Sequence, residues 1–582
     1  MNKPSKPSYE FGPFHLDPDA GLLLRQGEPV PLTPKVFDIL LALVENSGQV
    51  IEKNDLMQMI WPDTVVEENN LTVNMSALRK ALGDDISEHQ YIKTVPKRGY
   101  RFVANVRKLP GPSRLRQPLH HAKRQASTIK SLAILPLIND SRDADMEYLS
   151  DGITESIIYK LSQLPRLIVM ARSTVFGYKG KDVEPQKVRS DLGVDAVLMG
   201  RVKQRQDQFV VGIELVNAVD GSNLWGQQYN RQLADIFVVQ EEIAYQVSER
   251  LRTKLTGEEK RRLAKLPTEN LEAYHLYLKG RYYWNKYTEE GFKKGIEYFS
   301  QAIAADPGYA LAYSGLADAY YSSLYLPPRE AMTRAKQAAL KSLSLDDTLA
   351  EAHASVALVT AFYDWDWQSA EQEFKRAIAL NPGLAIPHKE YGWYLLPMGR
   401  FEDSLRELRQ AQQVDPLHLL INLDLGLPYH FSRRYDLAIE QFGKTIDLEP
   451  NFWPAHFFLG QAYEQQGKMA EAMSAYQMAT RLDEGPWPRA GLGHLYAVLQ
   501  RRDEAHAIID ELDEMSKQHY VSPYTKAIVY AGLGDKEMAF NALDEAYRER
   551  DQWLAWIKVD PLVDPLRNDP RFEGLLRRVG LK

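Results

Sequence analysis

The sequence predicts a multidomain α+β protein in three parts: a small module of helices and a β-hairpin, a mixed α/β domain, and an all-α repeat array. Three observations carry that prediction. The chain has 582 residues, too many for one hydrophobic core and enough for roughly three or four domains. Turn motifs recur with a fixed period through the C-terminal half. Near the N-terminus, Tyr91-Ile-Lys-Thr-Val-Pro-Lys-Arg-Gly-Tyr-Arg-Phe102 forms two β-patterned runs closed by a turn that carries Lys97 and Arg98.

With no cysteine in the chain, disulfides, thiol catalysis and cysteine-ligated metal sites are excluded. A reducing, cytoplasmic home follows as the simplest expectation. The first residues, Met1-Asn-Lys-Pro-Ser-Lys-Pro7, hold no apolar leader, and no segment reaches the roughly 18 to 20 apolar residues of a membrane span. No membrane attachment is expected. The net charge of −7 argues against bulk attraction to nucleic acid, but the charge is unevenly placed. Between His89 and Asn139 there is no acidic residue, while Lys93, Lys97, Arg98, Arg101, Arg107, Lys108, Arg114, Arg116, Lys123, Arg124 and Lys130 are basic. Such a segment can neutralise several phosphates. Charge alone leaves open a solvated hairpin followed by a basic linker.

The first module spans about residues 8–107. Thr33-Pro34 supplies a cap hydroxyl and a first-turn proline to a helix with Phe37, Leu40, Leu41 and Val44 on one face, ended by Gly48. A short helix follows around Asp55 to Ile60. From Glu67, apolar residues at Leu71, Met75, Leu78 and Leu82 make one buried stripe. Asn69, Val73, Ser76, Ala77 and Lys80 then lie opposite it, with Asn70, Asn74 and Arg79 on the flanks. Asparagine reads adenine bidentately and small apolar groups meet thymine methyls, so this face is suited to base edges while Arg79 and Lys80 hold phosphates. A polar solvent face is the alternative for each residue taken singly.

Together these residues resemble the OmpR/PhoB-type winged-helix effector domain, also found in ToxR- and CadC-like regulators. The resemblance runs through Phe14-His-Leu-Asp17, Val30-Pro-Leu-Thr-Pro-Lys35, Leu56, Ile60-Trp61, Leu78-Arg-Lys-Ala-Leu-Gly-Asp-Asp85, Tyr91-Ile-Lys-Thr-Val95 and Gly99-Tyr-Arg-Phe102. It implies a winged helix-turn-helix fold: a four-stranded N-terminal sheet, a three-helix core with its third helix in the major groove, and a hairpin wing at the minor groove. It places Asn70, Thr72, Val73 and Ala77 at bases, Trp61, Asn69, Asn74, Arg79 and Thr94 at the backbone, and Arg98 in the wing; Lys93, Lys97, Ser76 and Lys80 complete the candidate DNA-binding set. It also implies double-stranded DNA as partner and a contact with RNA polymerase. The outer helix face has no arginine before Arg79, so guanine readout is not expected. The family usually joins this domain to a phosphorylated receiver, but only about 13 residues precede Phe14, and phosphorylation on an aspartate is not the expected switch.

Residues 108–128, basic and proline-rich, are expected to be a linker. Over 129–255, strand-like runs Ser131 to Leu137, Leu167 to Met170, Ala196 to Val202 and Phe209 to Val216 alternate with helical patterns through Tyr148 to Leu161, Gln186 to Leu192 and from Asp235. Leu132-Ala-Ile-Leu-Pro136, Tyr148-Leu-Ser-Asp-Gly-Ile-Thr-Glu155, Leu192-Gly-Val-Asp-Ala-Val-Leu-Met-Gly200 and Leu224-Trp225 resemble a TolB-like domain, which implies binding or assembly. Gly177-Tyr-Lys-Gly-Lys181 lacks the spacing of a phosphate loop, and Asp151, Glu155, Asp191 and Asp195 are expected as cap, turn or surface groups. No catalytic residue, metal site or cofactor is expected, and the chain is not read as an enzyme.

After a connecting segment, 256–269, turn motifs centred on Asp306, Asp346, Asn381, Asp415, Glu449 and Asp483 step by 40, 35, 34, 34 and 34. A 34-residue period means tetratricopeptide repeats, here over 270–560 with a capping helix at 561–582. The pattern weakens after Gly485, an insertion is expected near Leu326-Pro-Pro328, and Trp365 with Trp367 is expected at a repeat junction. The concave surface of such a solenoid suits a protein or peptide ligand.

The sequence therefore reads as a cytoplasmic, one-component transcriptional regulator. One winged domain buries little surface, so self-association on adjacent half-sites is expected. The alternative is a protein-interaction scaffold that does not bind DNA.

Overall fold

A computed structural model describes residues 8–18, 22–25, 28–30, 32, 34–60, 68–84, 90–95, 98–109, 129–141, 147–164, 166–205, 208–232, 235–251, 255–265, 267–286, 288–323 and 326–582. The chain divides into two compact units, Met1–Thr128 with Val216–Asn223, and Ile129–Leu215 with Leu224–Lys582.

In the first unit, Ser8–Phe11 (β1), Phe14–Asp17 (β2), Leu22–Arg25 (β3) and Glu28–Val30 (β4) form an antiparallel meander. Pro34–Glu45 (α1), Val50–Glu52 (β5), Lys53–Ile60 (α2) and Glu68–Leu82 (α3) follow, then the hairpin Ile92–Val95 (β6) and Gly99–Phe102 (β7). The resemblance implied four strands in the N-terminal sheet; there are five. Arg107–Leu109 (β8) pairs antiparallel with β1, giving the order β4-β3-β2-β1-β8. Its Arg-Lys-Leu sequence carries no β signal of its own, and only the free edge of β1 makes it a strand. The stripe Leu71, Met75, Leu78 and Leu82 is buried as expected. On α1 the buried face is wider than expected: Val36, Ile39 and Leu43 join Phe37, Leu40 and Val44, and Leu41 is only partly covered. Phe11 packs against Phe14 and Phe102 at centroid distances of 5.5 and 5.1 Å, fastening sheet to hairpin.

The second unit opens with an α/β layer. Ser131–Ile134 (β9), Ile138–Asn139 (β10), Glu147–Ser162 (α4), Ile168–Val169 (β11), Arg172–Val175 (α5), Pro185–Leu192 (α6), Ala196–Arg205 (β12), Gln208–Asn217 (β13), Asn223–Gln232 (β14) and Ile236–Arg250 (α7) give a sheet ordered β11-β9-β12-β13-β14, with β10 beside β12. Pairs β11–β9, β9–β12 and β10–β12 are parallel. β14 escaped the sequence reading because only Trp225 and Tyr229 of it are buried; an edge strand needs no full apolar face. Gly200 sits where β12 meets β13, and a Cβ there would lie 2.2 Å from the Gly212 carbonyl oxygen.

Gly257–Ala264 (α8) leads to paired helices: Leu271–Trp284 (α9) with Glu289–Ala305 (α10), Ala310–Tyr321 (α11) with Pro328–Leu345 (α12), Ala350–Val359 (α13) with Trp367–Leu380 (α14), and Ala385–Leu395 (α15) with Phe401–Val414 (α16). Next come Leu419–Asp424 and Leu427–Phe431 (α17, α18) with Tyr435–Leu448 (α19), Trp453–Gln465 (α20) with Met469–Leu482 (α21), Pro486–Val498 (α22) with Arg502–Ser516 (α23), and Pro523–Leu533 (α24) with Lys536–Glu549 (α25). The turn within each later pair needs one residue with positive φ, and Trp365, Gly399, Arg433, Gly467, Gln500 and Gly534 supply it at steps of 34, 34, 34, 33 and 34. The repeat thus continues past Gly485, where its sequence pattern weakened. The expected insertion is real but shared: α12 has 18 residues against 14 in α14.

Two further corrections concern the far end. Trp367 does sit at a repeat junction, 6.0 Å from Tyr394 of the next pair, which donates to its carbonyl oxygen, but the two tryptophans also reach beyond it. Trp365 stacks on Tyr547 at 5.1 Å, and Trp367 Nε1 donates to the Val579 carbonyl oxygen at 2.8 Å, tying the third pair to the C-terminus. The final helix, Pro570–Arg578 (α26), is preceded by 3-10 turns Gln552–Lys558 and Pro561–Leu566. Trp556 of this segment stacks on Phe362, Trp393 and Phe431, and Trp553 packs on Trp393 and Trp487. Those partners lie on or directly after the first helices of their pairs, so part of the surface expected to take an external peptide is covered by the chain itself.

The same holds at the other end. The turn residues that defined the period bond to the α/β layer and its connecting segment: Asp306 accepts from Thr268 Oγ1 (2.5 Å), Asp346 from Lys265 Nζ (2.6 Å), and Asp415 from Thr174 Oγ1 (2.7 Å) and Ser173 Oγ. Asn381 Nδ2 donates to Ser162 Oγ at 3.3 Å. Two consecutive repeat turns, at Asn381 and Asp415, therefore bond the α/β layer directly, and the two before them bond the segment that joins it to the repeats. Nor are Asp151 and Glu155 surface groups: Asp151 is buried against Lys179 Nζ at 2.6 Å, and Glu155 binds Arg281 at 2.8 Å and Arg172 at 3.2 Å. Within Gly177–Lys181, which lacks phosphate-loop spacing, Lys179 is thus committed to Asp151 and Glu147.

Candidate nucleic-acid interface

The hairpin is held to α3 from below. Asp84, at the end of α3, is buried and its carboxylate accepts from Tyr91 N (3.0 Å) and Ile92 N (2.7 Å), satisfying two buried donors at the start of β6. Arg79 Nη2 donates to Thr94 Oγ1 at 2.7 Å and to the Ile92 carbonyl oxygen at 3.4 Å. One turn of α3 therefore clamps both ends of β6. The resemblance assigned Arg79 and Thr94 to the phosphate backbone; the structure brings them together and gives them a bracing contact. Sequence reasoning missed Asp84, which stood only as part of a motif; an acid next to Asp85 in the turn after α3 gave no sign that it would cap strand amides.

β7 lies between β5 and β6. Gly99 is required there by space, since a Cβ would approach the Ile51 carbonyl oxygen to 1.9 Å. Lys53 N donates to the Arg98 carbonyl oxygen at 3.2 Å, fixing the turn against α2. On the outer face Lys93 pairs across the ladder with Arg101, both exposed. Directly opposed like charges destabilise a hairpin, and among the described residues neither enters an ion pair. Arg98 is also exposed at the turn. Arg101 was counted in the basic run but not among the site residues, because the pairing register that sets it beside Lys93 is not visible without the fold.

On α3, Ser76 is exposed and Asn74 partly so. Asn69, Asn70, Thr72, Val73, Ala77 and Lys80 lie on α3, but their side chains are outside the description, and Trp61 and Lys97 fall outside the described residues altogether.

Residues 27–102 match the family model described as "Transcriptional regulatory protein, C terminal". This module is an OmpR/PhoB-type DNA-binding domain. Residues 431–486 match a tetratricopeptide-repeat model. Across a longer stretch the chain is similar to the transcriptional regulator HilA of Salmonella typhimurium, 27% identical over 426 residues that cover 71% of each chain. It is 33% identical over 278 residues to a protein of Rhizobium meliloti named putative adenylate cyclase 3, covering 44% of this chain and 47% of that one. It is 32% identical over 102 residues to the transcriptional activator CadC of Escherichia coli, covering 17% and 20%. The solved DNA-binding domain of E. coli CadC is 30% identical, covers 18% of this chain and 98% of that one, and superposes with a TM-score of 0.17. Among the described residues no helix is long and apolar enough to cross a membrane.

Proposed function

We propose that this protein is a one-component transcriptional regulator that binds double-stranded DNA through α3 and the β6–β7 hairpin, with the α/β layer and repeats sensing a ligand or partner. The observation that carries it is the exposed Lys93–Arg101 pair on a hairpin that Asp84 and Arg79 brace against α3, within residues 27–102. The retained repulsion is relieved when a phosphate lies across both cations. In this reading Asn70, Thr72, Val73 and Ala77 face bases, Asn69, Asn74, Ser76 and Lys80 support them, and Trp61, Lys93, Lys97, Arg98 and Arg101 hold the backbone.

The proposal includes assembly on adjacent half-sites, because one such domain buries little DNA surface, a contact with RNA polymerase, and a cytoplasmic location. The α/β layer serves as a TolB-like assembly element and not as an enzyme. A protein or peptide partner of the repeats competes with the chain's own Trp553 and Trp556. Selection of fragmented genomic DNA from the source organism on the full-length protein, beside an Asn70→Ala, Arg98→Ala double variant, tests the reading. Discrete fragments with spaced repeats, recovered by wild type alone, support it; equal recovery by both proteins would overturn the assignment of Asn70 and Arg98 to the DNA contact, and no recovery by either, with repeat-bound proteins captured instead, favours the scaffold.

A further inference from the structure

Between α4, α5 and the first helices of the repeat pairs lies a cavity of about 980 Å³, the size of a small-molecule site. Most of its wall is apolar, but several polar groups in it are incompletely satisfied. Tyr309 is 0% and Ser314 2% exposed, both line the cavity, and neither hydroxyl has a hydrogen-bond partner; nor has Glu351 Oε2. Asp318 takes one bond, from Ser355 Oγ at 2.6 Å.

Its charges divide into spent and unspent groups. Arg281 and Arg172 both bind Glu155, and their remaining faces lie over Trp284 and Phe176 at 4.7 and 3.9 Å. Lys265 is held by Asp346, Lys160 by the Leu263 carbonyl oxygen, and Glu390 by Lys389. Asp318 on α11 and Glu351 on α13 enter no ion pair among the described residues. Burial pushes Asp318 up to about 6 against its bond from Ser355 and the field of Arg281, and pushes Glu351 up to about 7 against its own backbone amide, the field of Arg281 and a hydrogen bond from Tyr159. Tyr159 and Tyr277 lie within the field of Glu351, and Tyr309, packed on Tyr277 at 5.2 Å, lines the same cavity. Unpaired acceptors beside aromatic faces are the chemistry that holds an ammonium group.

We propose that this cavity binds a small organic ammonium compound, its cationic nitrogen held by Asp318 and Glu351 and its carbon skeleton by the tyrosines. Because the walls come from both the α/β layer and the repeats, the ligand bridges them. The proposal does not depend on DNA binding, which its test leaves out.

The probe is 1,4-diaminobutane, titrated calorimetrically into the full-length protein at pH 6.5, with 1,4-butanediol as the uncharged and succinate as the anionic comparator. One saturable site for the diamine is expected, with no heat from the diol or succinate. Glu351→Gln and Asp318→Asn each weaken binding by roughly tenfold or more. Repeating the wild-type titration in two buffers of different ionisation enthalpy needs no variant to fold: an arriving cation fixes both acids in their charged form, so a fraction of a proton is released. Succinate binding in place of the diamine, diamine binding unchanged in both variants, no saturable heat, or no proton release would each overturn the proposal.

Discussion

Replacing Arg101 with glutamate separates stability from function at the hairpin. Arg101 and Lys93 are Cα partners on the exposed face of the β6–β7 ladder. Cross-strand charges about 5 Å apart repel by roughly 0.8 kcal/mol in water, and Arg101→Glu converts that repulsion into attraction. After screening at about 0.1 M salt and the entropy of ordering two long side chains, a net stabilisation of about 0.5–1 kcal/mol is expected. On DNA the same change removes one phosphate contact and adds a like charge. The slope of log affinity against log salt should fall by about 1, and affinity by about tenfold or more. Urea unfolding followed by near-ultraviolet signals, together with fluorescence anisotropy on a selected fragment at several salt concentrations, reads both quantities. A variant that binds DNA as wild type does, or that is destabilised with no change in its salt slope, would refute the assignment of this cation pair to phosphate.

Four other outcomes follow from the structure. Asp84→Ala strands the buried amides of Tyr91 and Ile92, at a cost of about 2–4 kcal/mol; hydrogen exchange should show both amides deprotected, and unchanged exchange would contradict the clamp. Gln500→Gly relaxes a φ of +62°, and should stabilise the repeats by about 1 kcal/mol in thermal unfolding. Gly383→Ala places a Cβ 2.3 Å from the Ser162 carbonyl oxygen, so limited proteolysis should cut faster between α4 and the repeats. Asp424 is buried, its Oδ2 takes no hydrogen bond and lies 3.8 Å from Lys389 Nζ, and burial raises it to about 7 against that lysine. The folded form then binds the proton more tightly than the unfolded one, so stability falls as pH rises from about 4 to about 7. Asp424→Asn should therefore stabilise by on the order of 3 kcal/mol at pH 8 and be nearly neutral at pH 4.

Periodic features were legible in the sequence because period is a local property. The α3 stripe, the 34-residue turns and the strands β12 and β13 announce themselves through spacing alone. What escaped depended on pairs of distant residues. β8 becomes a strand only beside β1, and Arg101 becomes interesting only beside Lys93. Trp365 gave no hint that its partner would be Tyr547, nor Glu155 that Arg281 would come from the repeats. The turn acids Asp306, Asp346 and Asp415 did appear in the sequence, but as markers of period; that they bond the connecting segment and the α/β layer depends on partners far away in the chain. Residues 561–582 were read as a cap from their likeness to a closing helix and the stretch before them as the end of the repeat array, whereas Trp553 and Trp556 of that stretch pack across several pairs.

The central claim is sequence-specific DNA binding by the N-terminal module. Its most direct test is the ratio of affinities of the full-length protein for a selected fragment and for the same fragment shuffled, both near 0.15 M salt. The account predicts a ratio of about 10³ or more for wild type, reduced at least tenfold by Asn70→Ala. A wild-type ratio near one would contradict it.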